Sequence, residues 1–149
     1  MPSPRWMITL TVLLLGACNS DSTTEPGDVT LADLARSWQI VHWEYSRVSD
    51  PSDKVDWVAL MSLSGSLAIT PGGDFMVTPR LPGGFGQDFG QLTLQGDSLY
   101  WDGEDDEEWV HLILAGRTLT LLWPEDELVD MDQDGEPEDA RLRVVLDGN

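Results

Sequence analysis

The 149-residue sequence predicts an all-β domain: an antiparallel up-and-down barrel of eight to nine strands, with a β-sandwich as the alternative. From residue 38 onward, short runs of alternating apolar and polar residues are bounded by turn residues. The apolar residues of these runs collect on one face, which indicates a single core. A sheet with so continuous an inner face must close or fold over to remove its edges, and closure into a barrel is the preferred interpretation.

The elements follow from local patterns. Residues 30–35 predict one capped helical turn. Nine strands are predicted after it, at residues 38–48, 55–61, 66–70, 75–79, 89–95, 98–102, 109–115, 118–123 and 140–146. Residues 71–74, 96–97 and 116–117 supply the glycines that tight hairpins need. Consecutive strands are therefore expected to be antiparallel neighbours.

The inward-facing apolar residues of these strands form the predicted core. They are Trp38, Ile40, Leu67, Ile69, Phe75, Val77, Leu92, Leu94, Leu99, Trp101, Val110, Leu112, Leu114, Leu119, Leu121, Trp123, Leu142, Val144 and Leu146. Trp43, Tyr45 and Trp109 fall on the opposite face. They indicate either an exposed binding patch, or a one-residue register shift in their strands or coverage by the N-terminal segment, and the last two are preferred over the patch.

Length and charge limit the function classes. A chain of this length makes one domain and can bury one core without metals or disulfides, and a single cysteine forms no internal disulfide. The 27 acidic residues outnumber the 8 basic ones, for a formal charge of -19. The bases are scattered from Arg5 to Arg143, whereas nucleic-acid binding needs clustered Lys and Arg. No nucleic-acid partner is therefore expected.

The N-terminus is typical of an export signal. Arg5 precedes an apolar run that ends at Leu15, which is too short to span a bilayer but fits a cleavable signal peptide over residues 1–17. The sequence Leu15-Gly16-Ala17-Cys18 resembles the lipobox of bacterial lipoproteins. This resemblance implies cleavage before Cys18 and attachment of a diacylglycerol to its sulfur. The alternative is an ordinary secretory signal with a chance cysteine.

Residues 18–29 are interpreted as the lipidated cysteine and a flexible tether, because their composition is too polar to order itself. Residues 30–149 then form the barrel domain. Removing residues 1–17 removes one base and no acid, leaving 27 acids and 7 bases, or -20, which anionic headgroups repel. Asn19 stands where an aspartate favours inner-membrane retention in enteric lipoproteins. The resemblance thus implies a cell-envelope protein anchored by lipid to the outer membrane.

The domain itself resembles the lipocalin-like domains of bacterial lipoproteins. The resemblance rests on Leu34 and Trp38 at the first strand, on residues 66–75 and 116–121, and on the acidic loop and last strand at residues 130–146. Lipocalins have a glycine two residues before this tryptophan, where this chain has Arg36. The resemblance implies an up-and-down barrel that holds a small apolar ligand, and it implies no reaction.

Carboxylates concentrate in two segments. Residues 102–108 contain six and residues 125–139 contain nine, which together make fifteen of the 27. Successive connections of a meander alternate between its ends, so both segments are expected at the same end as residues 81–87 and 62–65. That end is predicted to be an acidic mouth that concentrates cations. The alternative is that the acidic tips only aid solubility.

The sharpest local motif is Asp130-x-Asp132-x-Asp134-Gly135. Carboxylates at alternate positions direct oxygens to one point, and glycine permits the sharp turn of a calcium loop. Glu136, through its carbonyl, and Glu138, directly or through water, complete the candidate Ca²⁺ ligands. Position twelve is Arg141 instead of a bidentate glutamate, so the loop is no EF-hand. Weak calcium binding, with a dissociation constant of roughly 10⁻⁴ to 10⁻³ M, and a plain acidic loop both remain open.

No enzyme constellation is present in the sequence. His42 and His111 lack the spacing of metal ligands. The glycines of residues 83–86 are not followed by the helix that a phosphate-binding loop needs. The carboxylates are expected in solvent-exposed loops, whereas acid and base catalysis needs a desolvated carboxylate with a shifted pKa. We therefore expect a non-catalytic protein with no certain cofactor, and the many carboxylate pairs leave glycoside hydrolysis as the alternative. Two functions remain: a barrel that binds a small apolar ligand, and an interaction module whose acidic, calcium-ordered rim docks a basic partner.

Overall fold

The computed structural model describes residues 29–104 and 107–149. Two short helices, α1 (Leu31–Leu34) and α2 (Trp57–Met61), accompany eleven strands. The strands are β1 (Ser37–Arg47), β2 (Asp50–Asp56), β3 (Ser64–Ile69), β4 (Asp74–Leu81), β5 (Gly84–Phe85), β6 (Asp88–Gln95), β7 (Ser98–Gly103), β8 (Glu107–Ala115), β9 (Thr118–Leu122), β10 (Glu127–Val129) and β11 (Glu138–Gly148). Within the described ranges, no helix has the length and apolar content needed to cross a bilayer. The predicted signal peptide, Cys18 and nearly all of the tether lie outside these ranges.

Eight strands form a closed antiparallel barrel. β1, β3, β4, β6, β7, β8, β9 and β11 each pair with the next in this order, and β11 pairs with β1 to complete the circle. The other three extend it: β2 pairs with β1, β5 with β4 and β10 with β11. The up-and-down barrel predicted from the alternating pattern is confirmed, and neighbours in sequence are neighbours in space.

The strand predicted at residues 55–61 is wrong. β2 turns back on β1 as a hairpin and ends at Asp56, and the next five residues form α2. A polar, exposed strand carries no alternation signal, and the apolar segment that follows becomes a helix because Asp56 caps it. The 84–85 and 127–129 segments, expected as loops, also form short strands.

Asp56 joins α2 to β1. Its Oδ1 accepts the backbone N–H of Val58 at 3.0 Å and that of Trp43 at 3.1 Å, and its Oδ2 lies 2.7 Å from Nδ1 of His42. Burial alone would raise the pKa of Asp56, but the hydrogen bonds from His42 and the two backbone groups outweigh it and hold that pKa below the ordinary value. The carboxylate therefore stabilises the fold while it is ionised.

A β-bulge in β1 explains the misplaced aromatic residues. Ile40 pairs with Leu146 but His42 pairs with Val145, so Val41 is an extra residue. Inward-facing positions change from even to odd numbers beyond it. Tyr45 is buried and Trp43 packs against the core, which confirms the register-shift hypothesis for both. Trp109 remains 44% exposed.

The core agrees with the sequence prediction. Fifteen of the nineteen predicted residues are buried, and Val77, Leu94, Leu114 and Trp123 are partly buried against them. Leu34, Leu63 and Met131, from connecting segments, also belong to the core. The barrel interior is therefore filled over most of its length.

The helical turn α1 covers one end of the barrel. Thr30 and Asp33 form a capping box that starts it, and Leu34 is fully buried. Nε1 of Trp38 donates a hydrogen bond to the Leu34 carbonyl oxygen at 2.8 Å. The Arg36 guanidinium lies 5.1 Å from the centre of the Trp38 ring. This end, which carries the tight hairpin turns, is referred to below as the closed end.

The long connections meet at the other, open end. Gln133 lines one groove together with Pro79 and with residues 60–62 and 81–86. Nε1 of Trp57 lies 3.4 Å from the Met131 carbonyl oxygen. Glu107 and Glu108 line a second groove with residues 124–127. The predicted sharing of one end by these loops is thus observed.

Candidate functional site

A cavity of about 330 Å³ opens at this end of the barrel. Its walls are largely aromatic, and the apolar side chains that line it are Trp43, Tyr45, Val77, Pro79, Trp101, Trp123 and Leu142. The remaining lining residues are Gly86, Gln87, Asp88, Glu108 and Glu127. The bulge in β1 contributes directly, because it turns Trp43 and Tyr45 inward. The open end of the barrel is therefore a concave, aromatic site with polar groups among its lining residues.

Two of the cavity carboxylates extend the inward alternation of their strands. On β8, Glu108 precedes the buried Val110 and Leu112 at two-residue spacing. On β6, Asp88 lies four residues before the buried Leu92, with Gly90 between them at the same alternation. Side chains two apart on a strand share a face, so both carboxylates point toward the interior. The predicted strands, residues 89–95 and 109–115, begin one or two residues after β6 and β8 do, so they leave out Asp88 and Glu108. Extending the alternation toward the N-terminus of each strand would have included both carboxylates.

Each of these carboxylates accepts a hydrogen bond from a tryptophan. Nε1 of Trp101 donates to Oδ2 of Asp88 at 3.1 Å, and Oδ1 of Asp88 accepts the backbone N–H of Glu104 at 2.9 Å. Nε1 of Trp123 donates to Oε1 of Glu108. The two tryptophan rings lie 6.1 Å apart, inclined at 59°. The cavity wall thus alternates carboxylate and indole, and the hydrogen bonds fix the orientation of both.

The third carboxylate comes from β10 and lies near Tyr45. Glu127 is half-buried, and burial of the Tyr45 hydroxyl, together with the negative charge of Glu127, raises the pKa of Tyr45 to about 12. Tyr45 also contacts Trp57, with ring centres 4.8 Å apart. Among the described residues that line the cavity, none is Lys, Arg or His. The charged groups lining it are therefore all negative.

A small apolar void of about 50 Å³ adjoins the cavity deeper in the barrel. Trp43, Val77, Trp101 and Trp123 line both spaces. The void has room for little more than one water molecule, and its lining is entirely apolar. Space for a ligand is thus confined to the upper, open part of the barrel.

The predicted calcium loop brings three carboxylates together. Asp130, Asp132 and Asp134 each offer one oxygen, and these oxygens lie within 4.8 Å of one another. The Gly135 N–H donates to Oδ2 of Asp130 at 3.0 Å, and Gly135 has a φ of +93°, which favours glycine. The other oxygen of Asp130, Oδ1, is buried and has no hydrogen-bond partner. This arrangement leaves a carboxylate oxygen available for a cation.

Glu136 and Glu138 lie outside this group of three. The Glu136 N–H donates to Asp134 at 2.8 Å. Glu138 uses one oxygen for Arg47 at 3.1 Å and the other for the Met131 N–H at 2.9 Å. Glu138 thus holds the loop to β1, and the sequence prediction that it completes the ligand set finds no support in this geometry.

Comparison of the chain with protein-family models, curated proteins and solved structures finds no significant match. Inferences about the function of the chain therefore depend on its own residues and geometry.

Proposed function

We propose that this protein is a lipid-anchored protein of the cell envelope whose lipocalin-like barrel binds one small, largely apolar ligand without catalysing a reaction. The observation that carries the proposal is the cavity of about 330 Å³ with its aromatic wall. Ligand sites are typically concave, largely apolar spaces of about 300 to 1,000 Å³ with a few placed polar groups. An eight-stranded barrel is just wide enough for one small ligand above its packed core.

The two ends of the barrel favour entry from one direction. The closed end is sealed by Leu34 and Trp38, both fully buried, so a ligand reaches the interior only through the open end. Trp43, Trp101 and Trp123 supply broad apolar faces there. Burial of aromatic surface against a planar or branched ligand is the main source of affinity.

The anchor is proposed from the lipobox. Acylation of Cys18 would hold the mature chain on the outer membrane, through its periplasmic or surface face, without protein contact with headgroups. The barrel begins next to α1 at the closed end, so the tether of residues 18–29 would join it there. The open end and its cavity would then point away from the membrane.

Cavity binding is tested by blocking the cavity. Val77 lines it, whereas Met76, the preceding residue of β4, faces outward and is 43% exposed. We expect the neutral probe N-phenylnaphthylamine to bind at one equivalent and quench tryptophan fluorescence. Val77→Phe should weaken this binding at least about tenfold, and Met76→Phe should leave it unchanged. Absence of probe binding by the wild type, or equal binding by the two variants, would contradict ligand binding in the cavity.

The anchor is tested by metabolic labelling with an alkyne analogue of palmitate. The wild-type chain should be labelled and should partition into detergent, and Cys18→Ser should be unlabelled and soluble. A labelled Cys18→Ser variant would show that the lipobox is not used.

We also propose that Asp130, Asp132 and Asp134 bind Ca²⁺ and order the loop before β11. The convergence of their oxygens and the unpartnered Oδ1 of Asp130 support this site. Millimolar Ca²⁺ should raise the melting temperature of the wild-type domain but not of Asp132→Ala. An unchanged wild-type melting temperature would contradict calcium binding.

A second candidate function is docking of a basic protein partner on the acidic rim. The groove of about 580 Å³ next to the cavity supports it, because Glu107, Glu125 and Asp126 line it beside Trp109 and Tyr100. The two aromatic rings lie 5.2 Å apart and form an outward-facing platform. Native mass spectrometry of the soluble domain distinguishes the two functions. A co-purifying small apolar ligand supports carriage, and a salt-sensitive complex with a lysine-rich peptide, lost in Trp109→Ala, supports docking.

A further inference from the structure

We propose that the ligand of the cavity is a small organic cation, an amine or quaternary ammonium group attached to an apolar group. Its charged centre would lie among Asp88, Glu108 and Glu127, against the tryptophan faces. This inference rests on the proposed ligand-binding function and specifies the ligand class.

The charge of the cavity lining favours a cation. Three half-buried carboxylates reach the cavity from β6, β8 and β10, and no described lining residue is basic. The hydrogen bonds from Trp101 to Asp88 and from Trp123 to Glu108 come from neutral groups and fix the orientation of the two carboxylates. An anionic ligand would bring like charge into a partly desolvated space. A neutral ligand would displace water from the cavity and bring no opposite charge to the carboxylates.

The aromatic wall favours an organic cation in particular. Indole faces attract cations through the ring quadrupole, and cages of aromatic rings are the usual sites for quaternary ammonium groups. Trp43, Tyr45, Trp101 and Trp123 surround the cavity, and the rings of Trp101 and Trp123 are tilted by 59° toward one another. A cation that carries apolar groups uses both features of this wall, the ring faces and the carboxylates.

The spacing of the cavity carboxylates argues against a metal ion. A metal needs several oxygens that converge on one point. Among the described residues, such a convergence occurs only at Asp130, Asp132 and Asp134, in the loop, and does not include the cavity carboxylates. Three carboxylates that do not converge on one point suit a larger cation whose charge is spread over several methyl or methylene groups.

The test compares three probes of similar shape. Benzyltrimethylammonium is the cation, neopentylbenzene is its neutral carbon isostere, and phenylmethanesulfonate is the anion. Each is titrated into the soluble domain and followed by tryptophan fluorescence. We expect the cation to bind at least tenfold more tightly than the neutral probe, and the anion to bind least.

A matched pair of double variants locates the effect. Glu108→Gln with Glu127→Gln removes two cavity charges, and Asp97→Asn with Asp147→Asn removes two charges at the exposed, closed end. The first pair should lose at least tenfold in affinity for the cation with little change for the neutral probe. The second should retain wild-type affinity for both. Circular dichroism melts verify that each variant is folded.

The outcomes separate the two proposals. Equal affinity for cation and neutral probe, or equal effects of the two double variants, would overturn the cation inference while leaving ligand binding intact. Failure of all three probes and of N-phenylnaphthylamine would overturn ligand binding itself, and the cation inference with it.

Discussion

The packing of Leu34, the residue that seals the closed end, leads to a quantitative prediction about stability. Leu34 is the last residue of the four-residue helical turn α1, and its side chain is fully buried. Leu34→Ala removes three buried carbon groups but keeps the backbone carbonyl that accepts the Trp38 indole N–H. The loss therefore comes from packing alone and not from a broken hydrogen bond.

The magnitude follows from the burial. Three buried carbon groups at about 0.8 kcal/mol each give about 2.4 kcal/mol, and the cavity left behind raises the expected loss to about 3–4 kcal/mol. The free energy of unfolding is measured by urea denaturation followed by circular dichroism. With a slope of about 2 kcal/mol per molar, the midpoint should fall by about 1.5–2 M urea.

Leu128→Ala is the matched control. Leu128 lies in β10 and is 73% exposed, so the same substitution should cost less than about 0.5 kcal/mol. A difference between the two variants of less than about 1 kcal/mol would refute the docking of α1 as the seal of the barrel. Binding of N-phenylnaphthylamine by folded Leu34→Ala should be unchanged, because the ligand site is at the opposite end.

Three further predictions concern single residues. An added Cβ at Gly90 would collide with the Asp102 carbonyl oxygen, so Gly90→Ala should lower the free energy of unfolding by about 2 kcal/mol or more, whereas Gly83→Ala, which meets no neighbour, should not. Asp56→Ala removes the cap of α2 and should cost about 1 kcal/mol at neutral pH. The folded-state pKa of Asp56 lies below its unfolded-state pKa, which is about 3.9. The stabilisation by ionised Asp56 is therefore present above about pH 3.9 and is lost as the pH falls through the folded-state pKa. The urea midpoints of wild type and Asp56→Ala should converge in that acidic range. Tyr45 should ionise with a pKa of about 12, seen as a tyrosinate absorption step that Tyr45→Phe removes. The neutral Tyr45 side chain stabilises the fold below pH 10, and this stabilisation is lost as the pH rises through the folded-state pKa. A step near 10 that Tyr45→Phe removes would contradict the burial of Tyr45, whereas a step that persists in this variant belongs to Tyr100.

The barrel itself was predictable because its strands repeat one simple pattern. Alternation such as Leu92, Leu94 or Val110, Leu112 gave both the strands and their inner face, and glycine turns gave the neighbour relations. Closure followed from the need to remove sheet edges. These are local signals, and the barrel strands follow them except at a few positions, such as the bulge in β1.

Three features were not predictable in the same way. β2 is polar and exposed, so no periodicity marks it, and its pairing depends on the hairpin with β1. The bulge at Val41 depends on the register with β11, although the misplaced Trp43 and Tyr45 already indicated it. The cavity depends on how side chains from six or more elements meet, which no single segment encodes.

The acidic loop that contains Asp130, Asp132 and Asp134 was predictable only in part. The spacing of Asp130, Asp132 and Asp134 was enough to predict their convergence, because alternate residues of a tight loop share a side. The engagement of Glu138 by Arg47 was not predictable, since the two residues are 91 positions apart in the chain.

The extra residue at position 41 makes β1 a strand with two phases. Before it, even-numbered side chains face the barrel axis, and after it, odd-numbered ones do. Because Val41 is the unpaired extra residue, its deletion would join Ile40 directly to His42 in the existing pairing with β11 and would keep Trp43 and Tyr45 on the inner surface. If β1 paired with β11 without the bulge while still containing Val41, His42 and Glu44 would take the inner positions of Trp43 and Tyr45. The bulge thus decides whether the chamber is walled by aromatic rings or by polar groups.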